Sequence, residues 1–177
     1  MRTGLCLILA ALLAAPVPLS AAAPVGDPWV LPAGVTVITG ETLEVPGDVR
    51  IPSGSLLSLN SSTLLFKGPP GQRLTVESGG TLIAGSTRFL SGGAAGHWFS
   101  VDAQPGSRVG LTDCRIEGAG TDVPDPLFRG VRLASSTLGV RNCTIADAPA
   151  GLVFDGAPSS SQIESVRFRI TPPAYTR

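Results

Sequence analysis

The sequence predicts an all-β fold, a right-handed parallel β-helix of about five to six rungs with three strands per rung. Three observations point there. First, a bent apolar motif is present: Leu82 and Ala84 alternate, Thr87 and Phe89 alternate, and the phase slips by one residue between the pairs. A period of two puts each pair on one face of a strand, and the slip marks a bend that leaves both pairs facing the same side. Second, the motif recurs with starts at Leu57, Leu82, Val109, Leu138 and Ser161, between 23 and 29 residues apart. A two-strand unit on that period is a rung of a solenoid, not a sandwich or a βαβ unit. Third, helices are disfavoured. The chain holds 22 Gly, 16 Pro and 5% aromatic residues, and Pro, Gly, Ser and Thr interrupt every helical-period stripe after residue 24.

Taken in order, residues 1–22 read as a signal peptide. Arg2 supplies the positive start, Leu5 to Ala15 is an apolar run of 11, and Ser20 to Ala23 offer small residues for cleavage near Ala22. A bilayer span needs ~20 apolar residues, so cleavage is expected rather than anchoring. The mature chain is expected to lack a membrane span and to be secreted, periplasmic or on the cell surface. Residues 23–34 form an irregular lead-in, with Trp29, Val30 and Leu31 as candidates to cover the open apolar end of the coil.

The β-helix is expected over residues 35–170. Val35 and Val37 start a partial first turn. Short strands follow, cut by Pro46-Gly47 and Ser53-Gly54, then a rung over Leu57 to Phe66 closed by Gly68-Pro69-Pro70-Gly71. A third strand precedes each later bent pair: Leu74/Val76, Phe99/Val101, Val131/Leu133 and Leu152/Phe154. Stacking then puts Leu64, Phe89, Ile116, Ile145 and Phe168 in one buried column and Leu59, Ala84, Leu111, Val140 and Ile163 in another, with rungs ~4.8 Å apart. Residues 171–177 form a tail. It shows no closing helix or polar turn, so the last rung is expected to be lidded by Pro172 to Tyr175, covered by another surface module, or continued in a longer chain.

Charge narrows the partners. Thirteen basic and thirteen acidic residues are interspersed with no run of either sign, so no basic face for nucleic acid is expected. Rung length varies mainly at one corner, through Leu90 to Trp98, Glu117 to Gly130 and Ala146 to Gly151. Unequal loops on one edge of a coil are where recognition concentrates.

The segments Thr112-Asp113-Cys114-Arg115-Ile116-Glu117 and Arg141-Asn142-Cys143-Thr144-Ile145-Ala146 resemble right-handed parallel β-helix repeat proteins, the pectate-lyase-like superfamily in the broad sense. Gly79-Gly80-Thr81-Leu82-Ile83-Ala84-Gly85-Ser86-Thr87 is similar to a run that recurs in secreted β-helix surface proteins. The resemblance spans about residues 35–170 and implies the fold. Activity is a separate matter, since that superfamily includes lyases, hydrolases, adhesins and non-catalytic modules. Its lyases cluster Asp on one sheet to hold Ca²⁺, with a basic residue as proton acceptor. Its hydrolases bring three Asp together, with a His and a basic residue.

The bent-pair sheets show no such cluster. Their outward positions carry Ser86, Arg88, Asp113, Arg115, Asn142, Thr144, Ser165 and Arg167, with a single acid among them. No catalytic residue and no resident metal are therefore expected there. The variable corner supplies the candidate ligand-binding residues His97, Trp98, Asp122, Asp125, Phe128, Arg129 and Asp147. Carboxylates beside an aromatic could hold Ca²⁺ or stack a sugar ring, whereas Asp125-Pro126 also reads as ordinary turn chemistry. Cys114 and Cys143 fall at matching rung positions and suit either a disulfide or two stacked thiols. Asn60-Ser61-Ser62 and Asn142-Cys143-Thr144 fit the glycosylation pattern at Asn60 and Asn142. The function expected is an exported, non-catalytic scaffold. The alternatives are a polysaccharide lyase or hydrolase, or a carbohydrate-binding or adhesion module, with polysaccharide or another surface module as partner.

Overall fold

The computed structural model describes residues 27–68, 71–92, 100–119, 130–134, 137–147, 152–155 and 160–169. It contains three parallel sheets of six strands each, wound into a β-solenoid, with strands numbered along the chain. The first sheet holds Trp29–Val30 (β1), Val49–Ile51 (β4), Arg73–Val76 (β7), Ser100–Ala103 (β10), Gly130–Ala134 (β13) and Leu152–Asp155 (β16). The second holds Gly34–Thr39 (β2), Ser55–Asn60 (β5), Thr81–Gly85 (β8), Arg108–Thr112 (β11), Thr137–Arg141 (β14) and Ser160–Glu164 (β17). The third holds Thr42–Val45 (β3), Thr63–Phe66 (β6), Arg88–Ser91 (β9), Arg115–Glu117 (β12), Thr144–Ala146 (β15) and Arg167–Arg169 (β18). Each strand pairs only with its counterpart one rung away, as the repeat period requires.

Register follows the apolar alternation. Leu43, Leu64, Phe89, Ile116, Ile145 and Phe168 form one continuous column. Ile38, Leu59, Ala84, Leu111, Val140 and Ile163 form the second. A one-residue slip would turn every apolar side chain outward, so burial fixes the pairing. Both columns are buried except at the last rung, where Ile163 and Phe168 are 44% and 55% exposed.

Three local expectations change. Leu57 stacks on Thr36, not on Val35, so Thr36 and Ile38 face inward and Val35 is 63% exposed. Two valines outweigh a Thr on hydrophobicity, but the phase of the column decides the face. Likewise β10 runs Ser100–Ala103, and Val101 aligns with Leu74 while Ala103 aligns with Val76. The expected pair is Phe99 in the Leu74 place and Val101 in the Val76 place; Ala103 is small yet fully buried, and Phe99 lies outside the described residues. The stretch expected to be an irregular lead-in already contains β1, paired with β4, and Leu31 beyond it is buried.

Corners repeat as faithfully as strands. Between the first and second sheets, four-residue turns close with Ser55 N–H on Pro52 C=O, Gly80 N–H on Glu77 C=O and Ser107 N–H on Gln104 C=O, at 2.8–3.1 Å. Gly54, Gly79 and Gly106 hold the third turn position at φ +76°, +76° and +80°, a region closed to most side chains. Between the second and third sheets, a single residue with positive φ makes the bend: Ser61, Ser86, Asp113, Asn142 and Ser165. At Ser61, Ser86, Asp113 and Asn142 the N–H donates to the next rung, as from Ser86 to Thr112 C=O at 2.9 Å and from Asp113 to Arg141 C=O at 3.0 Å. The backbone ladder thus runs through the bend unbroken, leaving no orphaned donor there.

After the first four of these bends the next residue points inward and carries a donor, whereas Val166 follows the fifth. Ser62 Oγ donates to Asn60 and Ile38 C=O, and Thr87 Oγ1 to Gly85 and Leu59 C=O, at 2.8–3.3 Å. Cys114 Sγ repeats the pattern toward Thr112 and Ala84 C=O, and Cys143 Sγ toward Arg141 and Leu111 C=O, at 3.2–3.5 Å. In this column a polar group is fully compatible with burial because its carbonyl partners come from its own rung and the rung beneath.

Candidate functional site

The outer face of the first sheet carries the most concentrated polar chemistry of the described residues. A strand whose neighbours along the chain point inward presents its middle residue outward. That rule puts Arg50, between Val49 and Ile51, in register with Thr75, Asp102 and Arg132. The adjacent outward position of β7 is Arg73. Arg50, Arg73, Thr75 and Asp102, with Asp48 and Gln104 from the flanking corners, line an open groove of about 310 Å³. Asp27 and Pro28 form its N-terminal end.

Asp102 faces outward and yet is only 5% exposed. A buried carboxylate needs a partner to offset desolvation. Arg132, one rung away, supplies it, with Nη1 3.2 Å from Asp102 Oδ1. Asp48 accepts the backbone N–H of Arg73 at 2.9 Å, and Asp27 accepts that of Asp48 at 3.1 Å. Arg50 pairs with Glu77 at 2.5 Å across one rung, with both side chains in contact with solvent. The groove is thus a mixed-charge trough: Arg50 and Arg73 lie among Asp27, Asp48 and Asp102, with Arg50 paired to Glu77 and Asp102 to Arg132 beside it. Such a surface can hydrogen-bond a polar polymer laid along it. It does not focus charge of either sign.

Elsewhere the outer faces are organised in the same way. Lys67 pairs with Glu44, Arg115 with Glu117, and Arg141 Nε lies 3.2 Å from Glu164 Oε2. The outward Arg88, Arg115, Thr144 and Arg167 do stack in register. Among the described residues no group of three or more His, Cys, Asp or Glu is placed to hold a metal ion, and no helix is long and apolar enough to cross a membrane.

Of the residues singled out in the sequence, His97, Trp98, Asp122, Asp125, Phe128 and Arg129 lie outside the described residues. Asp147 is half-buried just after β15, at φ +54°, and its N–H donates to Arg169 C=O at 2.8 Å. Its charge acts on Arg115 of the third sheet, helping Glu117 to hold that guanidinium protonated. Asn60 is exposed at the end of β5. Asn142 is exposed too, and its Nδ2 donates to Asp113 Oδ1 at 2.5 Å one rung back. The groove residues Asp48, Arg50, Arg73 and Asp102 were not anticipated. Their signal was present in the alternation of the third strand, but pairing Phe99 with Val101 left Asp102 outside the strand.

Cys114 and Cys143 are free thiols, both buried. The interaction between the two thiols, set against burial, lowers Cys143 to about 7, while the same interaction and burial push Cys114 upward. The pair therefore gives up a first proton more readily than a second.

No protein-family model, curated protein or solved structure matches the chain.

Proposed function

We propose that this chain is an exported β-solenoid module that acts as a rigid scaffold at the cell surface or outside the cell. The single observation that carries the reading is the pairing of charge on its outer faces. Among the described residues five ion pairs tie acids to bases, four of them between rungs, so these groups brace the coil. General acid–base work asks for a titratable group poised near its substrate and tuned in pKa, not one held by a structural partner. Export is supported by Arg2, the apolar run and the small residues at 20–23. A right-handed coil and kinship with pectate-lyase-like proteins belong to the same proposal, resting on the repeated bent-pair segments and on the strong right-handed bias of parallel crossovers.

A second reading, a carbohydrate-binding or adhesion module, is favoured by the groove on the first sheet. Saccharide hydroxyls match a trough of guanidinium, carboxylate, amide and hydroxyl groups, and Arg50 and Arg73 could receive a uronate. Cell fractionation with the leader intact, followed by a glycan array and a lyase assay on acidic polysaccharides, separates these readings. The scaffold role predicts surface or extracellular recovery, no retained glycan and no unsaturated uronate released. Recovery in the cytoplasm would refute it. Retention of a glycan that is lost in Arg50→Ala and Arg73→Ala would favour the second reading, and uronate release would establish an enzyme.

A further inference from the structure

We propose that Cys114 and Cys143 close a disulfide that staples two successive rungs when the chain folds in an oxidising compartment. The register brings them together. Arg115 pairs with Thr144, which sets the preceding residues Cys114 and Cys143 opposite each other. Thr144 N–H donates to Cys114 C=O at 2.9 Å, and Asp113 N–H to Arg141 C=O at 3.0 Å, so hydrogen bonds hold the backbone on both sides of the pair. Neighbouring strands lie ~4.8 Å apart, inside the Cα separation a disulfide accepts. Both side chains point inward, and each is buried in the same column of the core.

Oxidation leaves the surrounding carbonyls satisfied. The thiol protons of Cys114 and Cys143 go to Thr112 and Arg141 C=O. Thr112 C=O also accepts Ser86 N–H, and Arg141 C=O also accepts Asp113 N–H. Removing two thiol protons therefore orphans neither acceptor. In the two preceding rungs the same column carries Ser62 and Thr87, which cannot form such a link.

The chemistry balances with a disulfide oxidant, such as oxidised glutathione or an exported dithiol oxidase. Cys143, as thiolate, attacks one sulfur of the oxidant, forms a mixed disulfide and releases one thiolate. Cys114 gives up its proton to that leaving thiolate and attacks Cys143 Sγ, releasing the second thiolate, which takes up from solvent the proton that Cys143 had lost. Two protein thiols are oxidised and one external disulfide is reduced to two thiols. At 2% and 1% exposure the pair is out of reach of an oxidant in the folded chain, so the exchange belongs to folding.

The inference shares only the export half of the functional proposal, and a test on purified chain does not depend on that half. The full chain carrying Cys6→Ser is unfolded, reduced and refolded in a glutathione redox buffer, or recovered folded from a bacterial periplasm. It is then alkylated in denaturant. The expected result is no alkylated cysteine, a mass lower by two hydrogens, and a linked peptide pair containing Cys114 and Cys143. In Cys143→Ser, Cys114 becomes alkylatable. Two alkylated thiols in a chain with native strand circular dichroism, or glutathione left on either cysteine, would overturn the proposal and leave the scaffold role untouched.

Discussion

At the scale of single residues, the bend between the second and third sheets shows how backbone and side chain share one task. A residue at positive φ turns the chain, and the next residue points a hydroxyl or thiol at the carbonyls the turn exposes. Thr87 is fully buried with Oγ1 on Gly85 and Leu59 C=O. Thr87→Val keeps its shape and removes the donor. We expect a loss of about 1 kcal/mol in urea unfolding. An unchanged midpoint would mean that the carbonyls do not need the hydroxyl. The thiols give a pH test under reductant. Cys143 sits near 7 in the fold against an ordinary 9.0, so its thiolate stabilises the fold above about 9, and that stability is lost as pH falls through 7. Cys114 is raised, so the fold opposes its ionisation and stability declines once pH passes its ordinary value of 9.0. The reduced chain should therefore gain in urea midpoint from pH 7 to 9 and fall beyond. Cys143→Ser should be flat over the rising part.

At the scale of elements, one column tests how burial translates into stability. Ile116 is fully buried in the middle of the column that ends at Phe168, which is 55% exposed. Ile116→Ala should cost about 3 kcal/mol, from lost transfer and an unfilled cavity. Phe168→Ala should cost under ~1 kcal/mol, because water already reaches the ring. Equal costs in denaturant unfolding would contradict the columnar core. Both columns were legible in the sequence because each inward position recurs with its own rung. Two stretches were not. Val35 out-competes Thr36 in hydrophobicity but sits on the wrong phase, and Ala103 is too small to announce itself. The groove was missed for the second reason: an outward Asp102 is recognisable only once Val101 and Ala103 are known to point inward.

At the scale of the molecule, each strand contacts its neighbours one rung away, which makes stability a nearest-neighbour property. The first rung and the last differ. Ile38 and Leu43 are buried at 2% and 4%, while their register equivalents Ile163 and Phe168 are 44% and 55% exposed. Hydrogen exchange should therefore be graded, with amides of β16, β17 and β18 exchanging well before those of β8, β9, β11 and β12. Uniform protection from β5 to β18 would show that the coil opens as a single unit.

By itself the sequence determined the class, the period and, from Leu57 onward, the registers of the two bent-pair sheets, because a repeated inward alternation has only one way to bury itself. Tertiary structure alone decided which polar residues meet. Asp102 and Arg132 are 30 positions apart and join only when rungs stack. The Ser62, Thr87, Cys114 and Cys143 column becomes intelligible only when the carbonyls of the rung beneath are in place. Periodicity reports which side a residue faces. Partners across rungs depend on where each corner returns the chain, and unequal loops keep that out of any local pattern.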